Sequence, residues 1–133
     1  MIVVDSGVWV DFFNGTQRQE TTRLRHALQE EEDLVTPPII VAEVLQGFRT
    51  DARFEQARNV LEAVPHVQPT LGCHVRAAAL YRYLRRRGIT VRGIVDCVIA
   101  QTCLDLGAEL LSPDADFERI AGSTSLRLWT SSY

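Results

Sequence analysis

The chain has 133 residues, 46% of them apolar and 23% charged, with a formal net charge of −3. That length suits one domain with a real hydrophobic core, and the composition excludes disordered, fibrous and membrane-spanning classes. The charge is uneven: residues 63–95 carry six arginines (76, 82, 85, 86, 87 and 92) and no acid, between two acidic flanks.

Ile2 to Val4 are apolar and β-branched, which predicts a short buried parallel strand. Residues 7–14 begin a helix that breaks at Asn14-Gly15. Leu24 and Leu28, four apart among charged positions, predict a partly exposed helix over 18–32. Leu34-Val35-Thr36 reads as a second strand. Pro37-Pro38 suits the first turn of a helix, where the missing N–H is not needed, and that helix runs to Gln46 and stops at Gly47. Phe54, Ala57, Val60 and Leu61 mark an amphipathic helix over 51–63, and His66 to Gln68 read as a further edge strand.

Residues 70–87 form a long helix with Leu71, Val75, Ala78 and Leu84 on its core side, closed by Gly88. Residues 93–106 are nearly all apolar, a buried helix ending at Gly107. Glu109 to Leu111 is a strand, 114–121 a short helix closed by Gly122, and Leu126 to Trp129 a last strand. Strands alternating with helices predict an α/β fold on a parallel sheet. No repeat or linker divides the chain, so residues 1–133 are expected to be one domain.

Cys73, Cys97 and Cys103 are odd in number and lack C-x-x-C spacing. They read as reduced, buried thiols rather than a disulfide framework or zinc site. The start M-I-V-V-D is too short and too soon charged for a signal peptide, and no apolar run reaches membrane length; a cytoplasmic location is expected.

Five acids stand beside apolar runs: Asp5, Glu43, Asp96, Asp114 and Asp116. A carboxylate near a core is costly unless it is paired or coordinates a metal, no Arg is adjacent to these acids in sequence, and the chain contains no Lys. The predicted elements place Asp5 and Asp114 after strands, Asp96 in the first turn of a helix and Glu43 within the first two turns of another. In open parallel sheets these positions meet outside the carboxyl ends of the strands, where ligands bind. Hard oxygen ligands suit Mg²⁺ or Mn²⁺. A phospho-acceptor domain or an Asp-nucleophile phosphatase also places Asp after the first strand, but such sites rely on a Lys to neutralise phosphate.

Four segments carry a family resemblance: I-V-V-D-S-G-V-W-V-D-F-F, I-I-V-A-E-V-L-Q-G-F, T-V-R-G-I-V-D-C-V-I-A and A-E-L-L-S-P-D-A-D-F-E-R-I-A. In this order they resemble a PIN domain, and most closely the VapC toxins of bacterial toxin–antitoxin pairs. The resemblance implies a three-layer α/β/α fold with a short central parallel sheet of four to five strands. It also implies a Mg²⁺- or Mn²⁺-dependent endoribonuclease that uses metal-activated water. Its metal ligands correspond to Asp5, Glu43 and Asp96, with Asp114, Asp116 or both as the fourth acid; Asp114, at the mouth of its turn, is taken as the nearer. Implied partners are RNA (tRNA among the candidates), a VapB-type antitoxin and a second copy of the chain. A PIN-like module that binds RNA or protein without catalysis is the alternative.

Ser6 and Ser112 are expected to support the acids, a role compatible with the helix capping that serines at such positions also perform. Arg92, four residues before Asp96, is placed to reach a phosphate or pair with a site acid. Arg82, Arg85, Arg86 and Arg87 are candidates for gripping RNA phosphates, although they also suit a helix C-terminus on dipole grounds. Trp9, Phe12 and Phe13 read as core or dimer contacts. The three histidines lie apart, which argues against a metal-free two-histidine ribonuclease.

Overall fold

A computed structural model describes residues 1–130. Four strands, β1 (Ile2–Val4), β2 (Leu34–Val35), β3 (Glu109–Leu111) and β4 (Arg127–Leu128), form one parallel sheet in the order β2-β1-β3-β4. Seven helices surround it: α1 (Ser6–Phe13), α2 (Gln19–Gln29), α3 (Pro38–Leu45), α4 (Asp51–Ala63), α5 (Leu71–Arg86), α6 (Ile94–Leu106) and α7 (Ala115–Ala121). The α/β class and parallel sheet match the sequence expectation. Among the described residues no helix is long and apolar enough to cross a membrane.

The sheet is short but wholly apolar at its centre. Val3, Leu110 and Leu111 are at most 1% exposed, and Trp9, Ile40, Leu61, Leu84, Ile99 and Phe117 close over them in one continuous core. Buried Trp9 stacks on Phe13 at 5.9 Å and meets Phe12 edge-on, and the two half-buried phenylalanines pack against the core at its edge. The three cysteines are free and buried, as expected.

Two expectations are corrected. His66 to Gln68 add no strand; only a single bridge, Thr36 to His66, forms there, between Pro65 and Pro69, neither of which can donate to a ladder. On α5 the buried side is Cys73, Ala77, Leu80 and Leu84, while Leu71 and Val75 are 82% and 61% exposed. Small residues on the inner stripe let α5 lie close to α6, where the Cys73 sulfur meets Thr102 Oγ1 at 3.6 Å. Hydrophobicity alone chose the wrong stripe.

The order of the strands positions the site. From β1 the chain crosses to β2 on one side and later returns as β3 on the other. The carboxyl ends of β1 and β3 therefore flank the point where the winding reverses, the usual place for a ligand crevice.

Candidate active site

Val4 pairs with Leu111, and the next N–H, that of Asp5, donates to the Leu111 carbonyl at 3.0 Å. This register sets Asp5 beside Ser112. Asp5 caps α1, its Oδ1 accepting from the Ser6 N–H at 2.8 Å, while its Oδ2 accepts from Ser112 Oγ at 2.9 Å. Ser112 Oγ also accepts the Asp114 N–H at 3.1 Å, and Asp114 caps α7 through the Asp116 N–H at 2.9 Å. One hydroxyl thus ties the ends of two strands together. Ser112 braces Asp5, while the caps of α1 and α7 are the acids Asp5 and Asp114 themselves rather than the serines.

Two helices bring the remaining acids. Glu43 lies in the second turn of α3, next to fully buried Val44, and Asp96 in the first turn of α6, next to fully buried Cys97. Asp5, Ser6, Glu43, Arg92, Gly93, Val95, Asp96 and Asp114 line one cleft of about 410 Å³. Four of the five predicted acids therefore meet, together with Ser6 and Arg92. Asp116 sits behind them with its side chain 3% exposed.

Electrostatics here are unfavourable to four bare charges. Burial raises the Asp5 carboxyl above its ordinary range. Burial also raises Glu43, with the Asp5 charge adding to it. Asp96 is pushed up to about 6, first by burial and then by the charges of Asp5 and Asp114. Glu43 Oε1 is buried and accepts no hydrogen bond. An orphaned carboxylate oxygen facing three other acids is a donor set suited to a hard divalent cation. Among the described residues no three such side chains are already drawn tightly around one point. Mg²⁺ typically keeps several waters and takes only one or two carboxylates directly, so an open cleft is compatible with it.

Two of these acids, with no Arg beside them in sequence, find arginines in space. Arg92 Nε and its backbone N–H both donate to Asp116 Oδ2, at 3.1 and 3.0 Å, and a terminal nitrogen of Arg92 bonds Asp114 Oδ2. Arg119 bonds Asp116 Oδ1. Burial raises Asp116, but these arginine bonds outweigh it and leave its carboxyl below the ordinary range. Arg119 escaped the sequence reading. Its signal was the i, i+3 spacing from Asp116 on a helix.

Arg82, Arg85, Arg86 and Arg87 are not brought to this cleft. Tyr83, among them, donates to the Ser123 carbonyl at 3.4 Å, beyond the C-terminal end of α7, whereas the acids gather at that helix's N-terminal end. Arg85 and Arg87 lie over the rings of Tyr81 and Tyr83. The histidines stay apart, His26 on Glu32, His66 on the Leu61 carbonyl and His74 on the Thr70 carbonyl.

A parallel α/β domain with a carboxylate cleft at the switch point of its sheet defines the class. A sequence profile of the PIN domain matches residues 2–123, and the chain belongs to that family. It is 35% identical over 130 residues to ribonuclease VapC11 of Mycobacterium tuberculosis and to VapC ribonuclease Mb1587 of Mycobacterium bovis, covering 96% of this chain and of each relative. Its fold is similar to VapBC2 of Rickettsia felis bound to a promoter DNA fragment, with a TM-score of 0.78 at 17% identity over 97% and 98% of the two chains. It is also similar to VapC20 of Mycobacterium tuberculosis, a toxin that cleaves the sarcin-ricin loop, with a TM-score of 0.68 at 17% identity over 96% and 99%.

Proposed function

We propose that this chain is a Mg²⁺- or Mn²⁺-dependent endoribonuclease toxin of the VapC type, held in check by a VapB-type antitoxin. The observation that carries the reading is the meeting of Asp5, Glu43, Asp96 and Asp114 in one cleft, with an unpartnered Glu43 oxygen among them. The relatives named as ribonucleases, similar over 96% of the chain, support RNA as the substrate.

A divalent ion on these four carboxylates would polarise a phosphodiester, activate water for attack and offset charge on the leaving oxygen. The chain's own groups prepare that site. Ser112 fixes the rotamer of Asp5 and, through the Asp114 N–H, the start of α7. The α6 N-terminus favours Asp96 as an anion once a cation offsets its neighbours. Asp116, behind the cleft, holds Arg92 at its wall and Arg119 on its own helix.

The partners follow from surface chemistry. Ile39, Leu71, Val75 and Ile94 are large apolar side chains 40% or more exposed, and Ile39, Pro38, Val95 and Val98 line an apolar cavity of about 510 Å³ next to the acid cleft. A second copy of the chain is the occupant we assign to this face, which places two clefts in one homodimer.

Purified protein incubated with RNA and Mg²⁺ should yield 5′-phosphate and 3′-hydroxyl ends, and Asp96→Asn should abolish the cleavage. Cleavage by Asp96→Asn at the parent rate, or in excess EDTA, would refute the metal-nuclease reading. An inactive parent that still binds RNA would leave a silent binding module.

A further inference from the structure

Among the described residues Arg92 is the one cation lining the acid cleft. Its side chain is 74% exposed, yet its base is tethered twice, through the backbone N–H and Nε, to the same oxygen of Asp116. Only a terminal guanidinium nitrogen reaches across to Asp114. Asp116 is itself locked: its other oxygen is held by Arg119, and its side chain is 3% exposed. Both oxygens of Asp116 already accept arginine bonds and the side chain is buried, which suits this carboxylate to an anchoring role.

The consequence is a competition for Asp114. A second positive charge arriving at that carboxylate meets the guanidinium already there, and like charges a few ångströms apart repel strongly in a half-buried cleft. The guanidinium can leave Asp114 without leaving the site, because its tethers sit at the near end of the group. Its terminal nitrogens then face the open cleft as a planar fork, a geometry that matches phosphate oxygens.

We propose that Arg92 is an internal counter-cation exchanged for the divalent ion. It holds Asp114 in the ion-free protein, yields that carboxylate on ion binding, and then presents its guanidinium, still anchored on Asp116, to a phosphate oxygen of the RNA. This inference rests on the metal-nuclease reading above. It makes Arg92 a positioning and phosphate-binding residue and Asp116 its support.

The test is calorimetric titration of Mn²⁺ into the intact chain, alongside RNA cleavage at saturating Mn²⁺. Arg92→Gln removes the competitor, so Mn²⁺ should bind roughly five-fold tighter or more. The same variant loses a charge-assisted contact to phosphate, so cleavage should fall roughly 10- to 100-fold. A merely structural arginine would not move these two readouts in opposite directions. Unchanged or weaker Mn²⁺ affinity in Arg92→Gln would overturn the exchange. So would a folded Asp116→Asn protein that no longer binds Mn²⁺, since Asp116 would then be a ligand. If the parent neither binds Mn²⁺ nor cleaves RNA, the metal-nuclease reading fails first and the exchange falls with it. Parent binding and cleavage without the opposed shifts sink the exchange alone.

Discussion

Ser112 Oγ donates to Asp5 Oδ2 at 2.9 Å across 107 residues of sequence, and both side chains are buried. The same oxygen accepts the Asp114 N–H. The contact therefore couples the ends of β1 and β3, the two strands whose carboxyl ends flank the cleft.

Ser112→Ala leaves a carboxylate oxygen and a backbone N–H without their partner. Each unsatisfied buried group costs about 1–3 kcal/mol, so the variant should melt several degrees below the parent. Loosening a support of an acid that holds a cation should also weaken Mn²⁺ binding roughly 10-fold or more. Ser112→Thr keeps the hydroxyl and should restore both properties. Calorimetric melting and Mn²⁺ titration of the three proteins decide it; an Ala variant indistinguishable from the parent would remove Ser112 from the site.

The acids also set a pH dependence. Asp96 holds its proton up to about pH 6 in the folded chain, against an ordinary value of 3.8. Between those values the folded chain binds a proton that the unfolded chain does not, so the ion-free protein loses stability as pH rises through this window. Asp5 and Glu43 are raised too and push in the same direction. Asp105, lowered by Arg76, and Glu32, lowered to about 2 by Arg23, push the other way but act mainly at more acidic pH, so above about pH 4.5 the raised acids decide the slope. A divalent cation replaces those protons, so Mn²⁺ should raise Tm more at pH 7.5 than at pH 5. Thermal melts at both pH values, with and without Mn²⁺, check this; a Tm gain equal at both would contradict it.

How much of this was legible in the sequence depends on whether the signal was local. The helix over 51–63 and the strand Glu109–Leu111 appear at the expected residues because period and flanking turns lie within each segment. Asp5 was visible as an acid directly following an apolar β-type run, and Asp114 as one two residues beyond the next. The face of α5 was not, because two apolar stripes run along that helix and only the closeness of α6 selects the one bearing Cys73 and Ala77. Pairing of Arg92 with a site acid was offered by the sequence, but not Asp116 as the partner, a bond that spans 24 residues and depends on how the loop before α6 lies against the start of α7. The position of Asp114 at the mouth of its turn already favours it over Asp116, and the tertiary geometry sets Asp114 in the cleft wall and Asp116 behind it.

The arginines at the end of α5 should contribute to RNA binding without touching the chemistry. They lie past the far end of α7, a helix of seven residues and hence about 10 Å long. Replacing Arg82, Arg85, Arg86 and Arg87 with Gln should raise KM for RNA and flatten its salt dependence, while kcat stays within about two-fold of the parent. A kcat that collapses with KM unchanged would place these residues at the reacting phosphate instead. Steady-state kinetics at two salt concentrations separates the outcomes.

The exposed stripe of α5 makes the last prediction. Leu71 and Val75 lie four residues apart, on the same helix face as His74, which lines the apolar cavity beside the acid cleft. At 82% and 61% exposure they contribute little to the core of one copy, so a charge there should leave the fold of a protomer intact. Buried between two copies, a glutamate at either position would be an unpaired charge in an apolar contact, costly enough to split a dimer of ordinary size. Leu71→Glu combined with Val75→Glu should therefore elute as a monomer with a native circular dichroism spectrum, while the parent elutes as a dimer by light scattering. A parent that is monomeric at every concentration, or a double variant that remains dimeric, would move the interface elsewhere on the surface.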